Sequence, residues 1–143
     1  MGENKKILIS CVGERDPFGE NNTDGAIITA YRYFKPDIIY LLPTIEKINS
    51  KSNTSKNAEE TKEFIEMMNK EEGLNTRVFI RGLDLDDPRD YSEVKNEILD
   101  KIRSIYDELK ENDIEFYYMF LASINSCIPE KNFSSTLVTK YVI

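Results

Sequence analysis

Histidine is absent from the 143 residues, and so is tryptophan. Without histidine the chain lacks the commonest general base near neutral pH and the commonest nitrogen ligand for a metal. Serine–histidine and cysteine–histidine nucleophile pairs are excluded, as is any zinc site that uses imidazole. Cysteine is scarce. Cys11 and Cys127 have no Cys-x-x-Cys spacing, and Cys11 lies in an apolar run, where a reduced, buried thiol is expected. That usage fits a reducing compartment. No apolar run reaches the roughly 18 residues that mark a membrane span. Met1–Lys6 is polar and charged, unlike a secretory leader, and Lys6 stands where a myristoylation signal after Gly2 would have Ser or Thr. The expected location is cytoplasmic, with no membrane contact.

Positive charge is also short. Lys and Arg number 19 against 26 Asp and Glu, leaving a net charge of −7. This disfavours duplex nucleic acid as a partner, since broad binding needs many cations against phosphates. One small nucleotide held by a local nest of backbone N–H groups remains compatible. What is present is an ordinary globular mix, 40% hydrophobic and 31% charged, with 8 Tyr and 7 Phe for aromatic volume. Residues 1–143 are expected to form a single domain, with its C-terminal end possible as a truncation point or a junction to further chain.

Periodicity alternates between two kinds of segment. Ile7-Leu8-Ile9-Ser10-Cys11-Val12 reads as a strand buried on both faces, ending at Gly13. Glu14 to Thr23 is a polar loop in which Pro17 keeps Asp16 out of the helical region. Asp24 is then a plausible N-cap, and Ala26, Ile27, Ala30, Tyr31 and Phe34 form a helical stripe that Pro36 stops. Ile38–Leu42 is a second strand. The Asn49–Lys56 stretch is a solvated surface loop. Asn57 with Glu60 resembles a capping arrangement for a helix whose core face is Phe64, Ile65, Met67 and Met68 and whose end is Gly73.

Thr76–Ile80 is the third strand. Asp90, with Glu93 three residues on, caps a long helix striped by Val94, Ile98, Leu99, Ile102, Ile105, Tyr106 and Leu109. Ile114–Leu121 is a fourth strand. Ser123–Asn132 is a loop, and Phe133–Ile143 suits either a short helix or a strand. The order β-α-β-α-β-α-β implies an α/β fold, a mostly parallel sheet with helices on both faces.

In such sheets ligands bind beyond the carboxyl ends of the strands, near the switch in strand order. The first βα loop holds neither a Walker A motif nor Gly-x-Gly-x-x-Gly. It reads Gly13-Glu14-Arg15-Asp16-Pro17-Phe18, then Asn22-Thr23-Asp24-Gly25. Gly13 permits a tight turn, Arg15 could reach a phosphate or stack on a base, and the N–H groups after Asp24 could meet an anion. On spacing alone it reads equally as a polar connection with an N-cap. Asp84, Asp86 and Asp87 could hold a divalent cation through oxygen. Beside a helix start they are read as capping and solvation, so no metal and no cofactor is expected.

The run Ile7–Phe18, followed by Thr23-Asp24-Gly25-Ala26-Ile27 and by Tyr33-Phe34-Lys35-Pro36-Asp37 before the second strand, resembles CARF (CRISPR-associated Rossmann fold) domains of the Csm6/Csx1-like kind. It is also similar to the sensor domain of RtcR-type regulators of RNA repair. The shared pattern is strand, Gly-x-x-Asp-Pro, a loop with Asp-Gly, helix, Lys-Pro-Asp, strand. A second family motif follows the fourth strand. Here it reads Ser123-Ile124-Asn125-Ser126-Cys127-Ile128-Pro129, with Cys127 for the usual Gly and Ile128 for a hydroxyl residue.

The resemblance implies a Rossmann-like fold, a homodimer, and a cyclic oligoadenylate bound across the two-fold axis. It implies a ligand site of Ser10, Gly13, Glu14, Arg15, Asp16, Asp24, Gly25, Asn125, Ser126 and Lys131. The expected function is that of a cyclic oligoadenylate-binding sensor in type III CRISPR antiviral signalling, without an effector nuclease domain. The Arg-x4-6-His motif of HEPN ribonucleases cannot occur in a chain without histidine. One alternative is a metal-independent ring nuclease that uses Ser10, Arg15, Ser126 and Lys131. Another is an RNA-repair sensor or an inactive remnant.

Overall fold

The computed structural model describes residues 4–45, 53–87, 89–112 and 115–122. Its elements are β1 (Asn4–Cys11), α1 (Ala26–Phe34), β2 (Ile38–Leu42), α2 (Ser55–Glu72), β3 (Arg77–Ile80), α3 (Tyr91–Glu111) and β4 (Glu115–Ala122), with a 3-10 turn over Glu20–Asn22. The strands form one sheet in the order β3-β2-β1-β4, and every pairing is parallel.

Strand alternation sends successive side chains of β1 into two different cores. Ile7, Ile9 and Cys11 join Ile38, Tyr40 and Leu42 of β2 under α3, which contributes Val94, Ile98, Ile102, Ile105 and Leu109. Leu8 and Val12 join Ile39 and Leu41 under α1 and α2, which contribute Ile27, Ile28, Tyr31, Ala58, Ile65 and Met68. The sheet is therefore sandwiched, and its two central strands read as unbroken apolar runs because neither face meets water.

The chain order explains which helix takes which face. From β1 through β2 to β3 the chain travels one way across the sheet, and α1 and α2 cover one side. It then returns past β1 to reach β4. Right-handed crossovers put a helix made on the return journey on the opposite side, where α3 lies.

Helix ends follow local chemistry. Lys35 adopts the left-handed conformation (φ 47°) after α1, just ahead of Pro36. Gly73 does the same after α2 (φ 69°), where no side chain has to be accommodated. Asp90 caps α3, its Oδ1 accepting from Ser92 N at 3.0 Å and Glu93 N at 3.3 Å. Among the described residues, no helix is long and apolar enough to cross a membrane.

Four expectations are corrected. Asp24 does not cap α1; the N-cap is Gly25, and the Asp24 carboxylate instead accepts from Arg32 Nε at 2.7 Å. Asn57 does not cap α2, which begins two residues earlier with Thr54 as N-cap. Met67 is not core: it is 46% exposed, whereas Ala58, Thr61, Ile65 and Met68 are buried. Cys11 is buried as expected, but its sulfur is disulfide-bonded and not a free thiol. The only other cysteine, Cys127, lies outside the described residues.

Ile98 sits at the centre of the α3 interface and is 1% exposed. Ile98→Ala is expected to cost about 2–5 kcal/mol, because the surrounding core only partly closes on the lost volume. Met67→Ala should change stability by about 0.5 kcal/mol or less. Urea unfolding midpoints of the two variants against the native protein check both figures.

Candidate functional site

A parallel sheet delivers all its carboxyl ends to one edge. Ser10 of β1 pairs with Leu41 of β2 and with Ala122 of β4, and Leu41 pairs with Ile80 of β3. The chain departs from β1 toward β2 and later returns to β4, so strand order switches at β1. The loop after β1 therefore begins beside the end of β4, at the crevice where ligands of open α/β sheets bind.

The loop from Gly13 to Gly25 is held by a carboxylate. Asp16 is 3% exposed. Its Oδ2 accepts from Gly13 N at 2.9 Å, and its Oδ1 accepts from Ile27 N in the first turn of α1 at 3.4 Å. Gly13 O in turn accepts from Asp16 N at 3.2 Å, closing a tight turn. Burial raises the Asp16 pKa above 3.8, and the bonds from Gly13 and Ile27 oppose that shift without cancelling it.

Gly25 completes the turn. Its N–H donates to Pro17 O at 2.8 Å. A Cβ at Gly25 would collide with Arg15 O and would lie 2.6 Å from Asp16 Oδ1 and 2.9 Å from Pro17 O. Glycine is required there by close approach and not by a positive φ, since the residue sits at φ −70°.

The sequence-expected residues separate into groups. Arg15, Asp16, Asp24 and Gly25 line one cavity of about 470 Å³, together with Gly19, Glu20, Asn21, Thr23 and Ala26. Arg15 is exposed, and its guanidinium has no ion-pair partner among the described residues. Glu14 is exposed beside it, with its backbone carbonyl accepting from Asn57. Ser10 is wholly buried in β1, and its hydroxyl donates to Cys11 O at 2.9 Å. Gly13 is buried, with its N–H committed to Asp16. Asn125, Ser126 and Lys131 lie outside the described residues.

Two features escaped the sequence reading. The helix N-terminus thought free to meet an anion is already served by one, because the Asp16 carboxylate takes the Ile27 N–H. Asn57 reaches from α2 to this loop. Neither pairing follows helical or strand spacing, so no local signal marks it.

The acidic stretch before α3 is engaged internally. Glu93 accepts from the backbone N–H groups of Asp86 and Asp87, and Asp87 Oδ1 accepts from Arg89 N at 2.9 Å. The Arg89 bonds hold the Asp87 pKa below its usual value. No cluster of three acidic or thiol groups suited to a metal occurs among the described residues.

The raised Asp16 pKa has a definite sign for stability. Below the unfolded-state value both states are protonated and the burial penalty is absent. As pH rises, the unfolded state ionises first, so stability is withdrawn until the folded pKa is passed. The stability of the native protein relative to Asp16→Asn should therefore fall from acid to neutral pH. Urea titrations of both proteins across that range test this; a difference that grows with pH would mean the N–H bonds outweigh burial.

No protein-family model matches the sequence, and no curated protein matches it. Among solved structures, Enterococcus italicus Csm6 bound to cyclic hexa-2'-fluoro-hexa-dAMP is similar, with a TM-score of 0.61 and 22% identity. The match covers 82% of this chain and 26% of that one, so the chain spans about a quarter of the length of Csm6. By its four-stranded parallel sheet, its two-sided helices and this match, the chain has a Rossmann-like α/β fold that it shares with part of Csm6.

Proposed function

We propose that this chain binds a cyclic oligoadenylate at the carboxyl edge of its sheet and that two copies of the chain complete the site. The observation that carries the reading is the cavity of about 470 Å³ lined by the β1–α1 loop, which leaves the carboxyl end of β1, with Arg15 exposed on it. Its volume is within the range of small-molecule sites, about 300–1,000 Å³. The fold shared with Csm6, which was solved with a cyclic adenylate analogue, supports the same ligand class.

The chemistry of the lining suggests how a ring would be divided among the residues. Arg15 is the cation, suited to a bridging phosphate through charge-assisted hydrogen bonds. Asp24 and Glu20 would repel phosphate but can accept from ribose hydroxyls or an exocyclic amine. Asn125, Ser126 and Lys131, which lie outside the described residues, are kept as expected ligand contacts. A ring carries one phosphate per nucleotide, and a two-fold partner supplies a second Arg15 without any further basic residue in the sequence.

Binding without cleavage is the reading adopted. Ser10, which a ring-cleaving site would use, has no exposed surface and gives its hydroxyl proton to Cys11 O.

Calorimetric titration with cyclic tetra-adenylate and cyclic hexa-adenylate should show saturable binding to at least one ring, at one ring per two chains. Arg15→Ala removes one charge-assisted bond from each chain, two per ring, and should weaken binding by about a hundred- to ten-thousandfold. The ligand should be recovered intact; a linear product would turn the reading to a ring nuclease. A protein that stays monomeric at high concentration with ligand present, by sedimentation, would rule out the composite site.

A further inference from the structure

Asn57 lies in the first turns of α2, far along the chain from the ligand loop, yet its side-chain amide is spent on that loop. Its Nδ2 donates to Asp16 O at 2.9 Å and to Glu14 O at 3.4 Å. Those two carbonyls stand on either side of Arg15. The carbonyl of Arg15 itself faces Gly25, where even a methyl group would collide with it. The stem of Arg15 passes over Gly19, with its Cβ and Cδ 3.7 and 3.8 Å from where a Gly19 side chain would begin. The backbone around Arg15 is thus held from α2 and from the N-terminus of α1, while the guanidinium has no ion-pair partner among the described residues.

Asparagine suits this task by composition. Its amide carries two hydrogens, enough for two carbonyls, whereas the isosteric aspartate carries only acceptors and would repel both. Asparagine is also a mediocre residue inside a helix. Here its own carbonyl accepts from Thr61 Oγ1 at 2.7 Å, and its side chain turns away from the helix toward the loop.

From this geometry we infer that Asn57 is a positioning residue for the ligand: by clamping the carbonyls that flank Arg15, it sets the direction in which the guanidinium meets a phosphate of the ring. The inference rests on the cyclic oligoadenylate reading above, and it adds a residue from a different element to the site. Asn57 itself does not touch the ligand. Its contribution passes entirely through Arg15, and that distinguishes it from a residue that merely stabilises the fold.

A double-mutant cycle tests it, using calorimetry with cyclic tetra- and hexa-adenylate on the native protein, Asn57→Asp, Arg15→Ala and the double variant. Asn57→Asp is expected to weaken binding about tenfold in the native background and by less than about twofold once Arg15 is gone, because coupled residues do not add. Amide exchange should rise across residues 13–18 in Asn57→Asp and stay unchanged in β1 and β2. If Asn57→Asp does not fold, Asn57→Ser, which keeps a donor but shortens the reach, replaces it in the same cycle. Undiminished binding by Asn57→Asp, or equal losses in both backgrounds, overturns the positioning role alone. A native protein that binds neither ring overturns the ligand reading, and this role with it.

Discussion

The arrangement at the carboxyl edge of the sheet depends on one buried carboxylate. Asp16 leaves solvent almost completely and spends its oxygens on the N–H groups of Gly13 and Ile27, one at the end of a strand and one in the first turn of the next helix. Burying a carboxylate is costly, and two N–H donors near a helix N-terminus are the kind of environment that offsets the cost. The loop between them has little choice afterwards. Gly25 must be side-chain-free because Arg15 O, Asp16 Oδ1 and Pro17 O crowd it. The Glu14 and Asp16 carbonyls face α2, where Asn57 takes them. Arg15 is left exposed on the loop beside Glu14.

That constraint changes what kind of recognition the edge can perform. Helix N-termini commonly bind anions through free backbone donors. In this fold the Asp16 carboxylate already accepts from Ile27 N, while the N–H groups of Gly13, Gly19, Thr23 and Gly25 all have partners inside the loop. On the proposed reading, an anionic ligand would meet Arg15 on a backbone whose N–H groups at Gly13, Gly19, Thr23, Gly25 and Ile27 are already engaged. A loop wired in this way loses little conformational freedom on binding, which is the main advantage of preorganisation.

The sequence revealed the parts of this fold that arise from period and length. Strand β2 occupies the five residues read as an apolar run, and α3 buries Val94, Ile98, Ile102, Ile105 and Leu109 from the stripe read off its spacing. Gly73 and Asp90 ended and began their helices as their chemistry dictates. What stayed hidden was pairing between elements. Asp24 sits where a cap belongs by local rules, yet the carboxylate that serves α1 comes from Asp16, on the far side of the loop. Asn57 looked like a cap because Glu60 follows it, and its amide instead serves the neighbouring loop. The burial of Ser10 was legible, because a residue inside a run buried on both faces is shut off from solvent, and its hydroxyl donates to the Cys11 carbonyl. The disulfide at Cys11 left no such signal, since no Cys-x-x-Cys spacing surrounds it.

Net charge bears on how such a site could work. At −7 the protein as a whole repels polyanions, and the cavity wall adds Glu20 to the repulsion, while Asp24 is offset by its ion pair with Arg32. A linear nucleic acid, with phosphates spread along its length, would meet that field over a wide area. A small ring concentrates its phosphates over one spot, so a few fixed cations can offset them while the acidic groups turn to hydroxyls and amines. Two-fold symmetry doubles each cation without changing the net charge of either chain. On the proposed reading, the acidic character of the protein and its affinity for a small anionic ring are compatible for that reason: specificity resides in a rigid, sparsely charged edge used twice, and the surrounding negative field excludes longer polyanions that carry the same chemical groups.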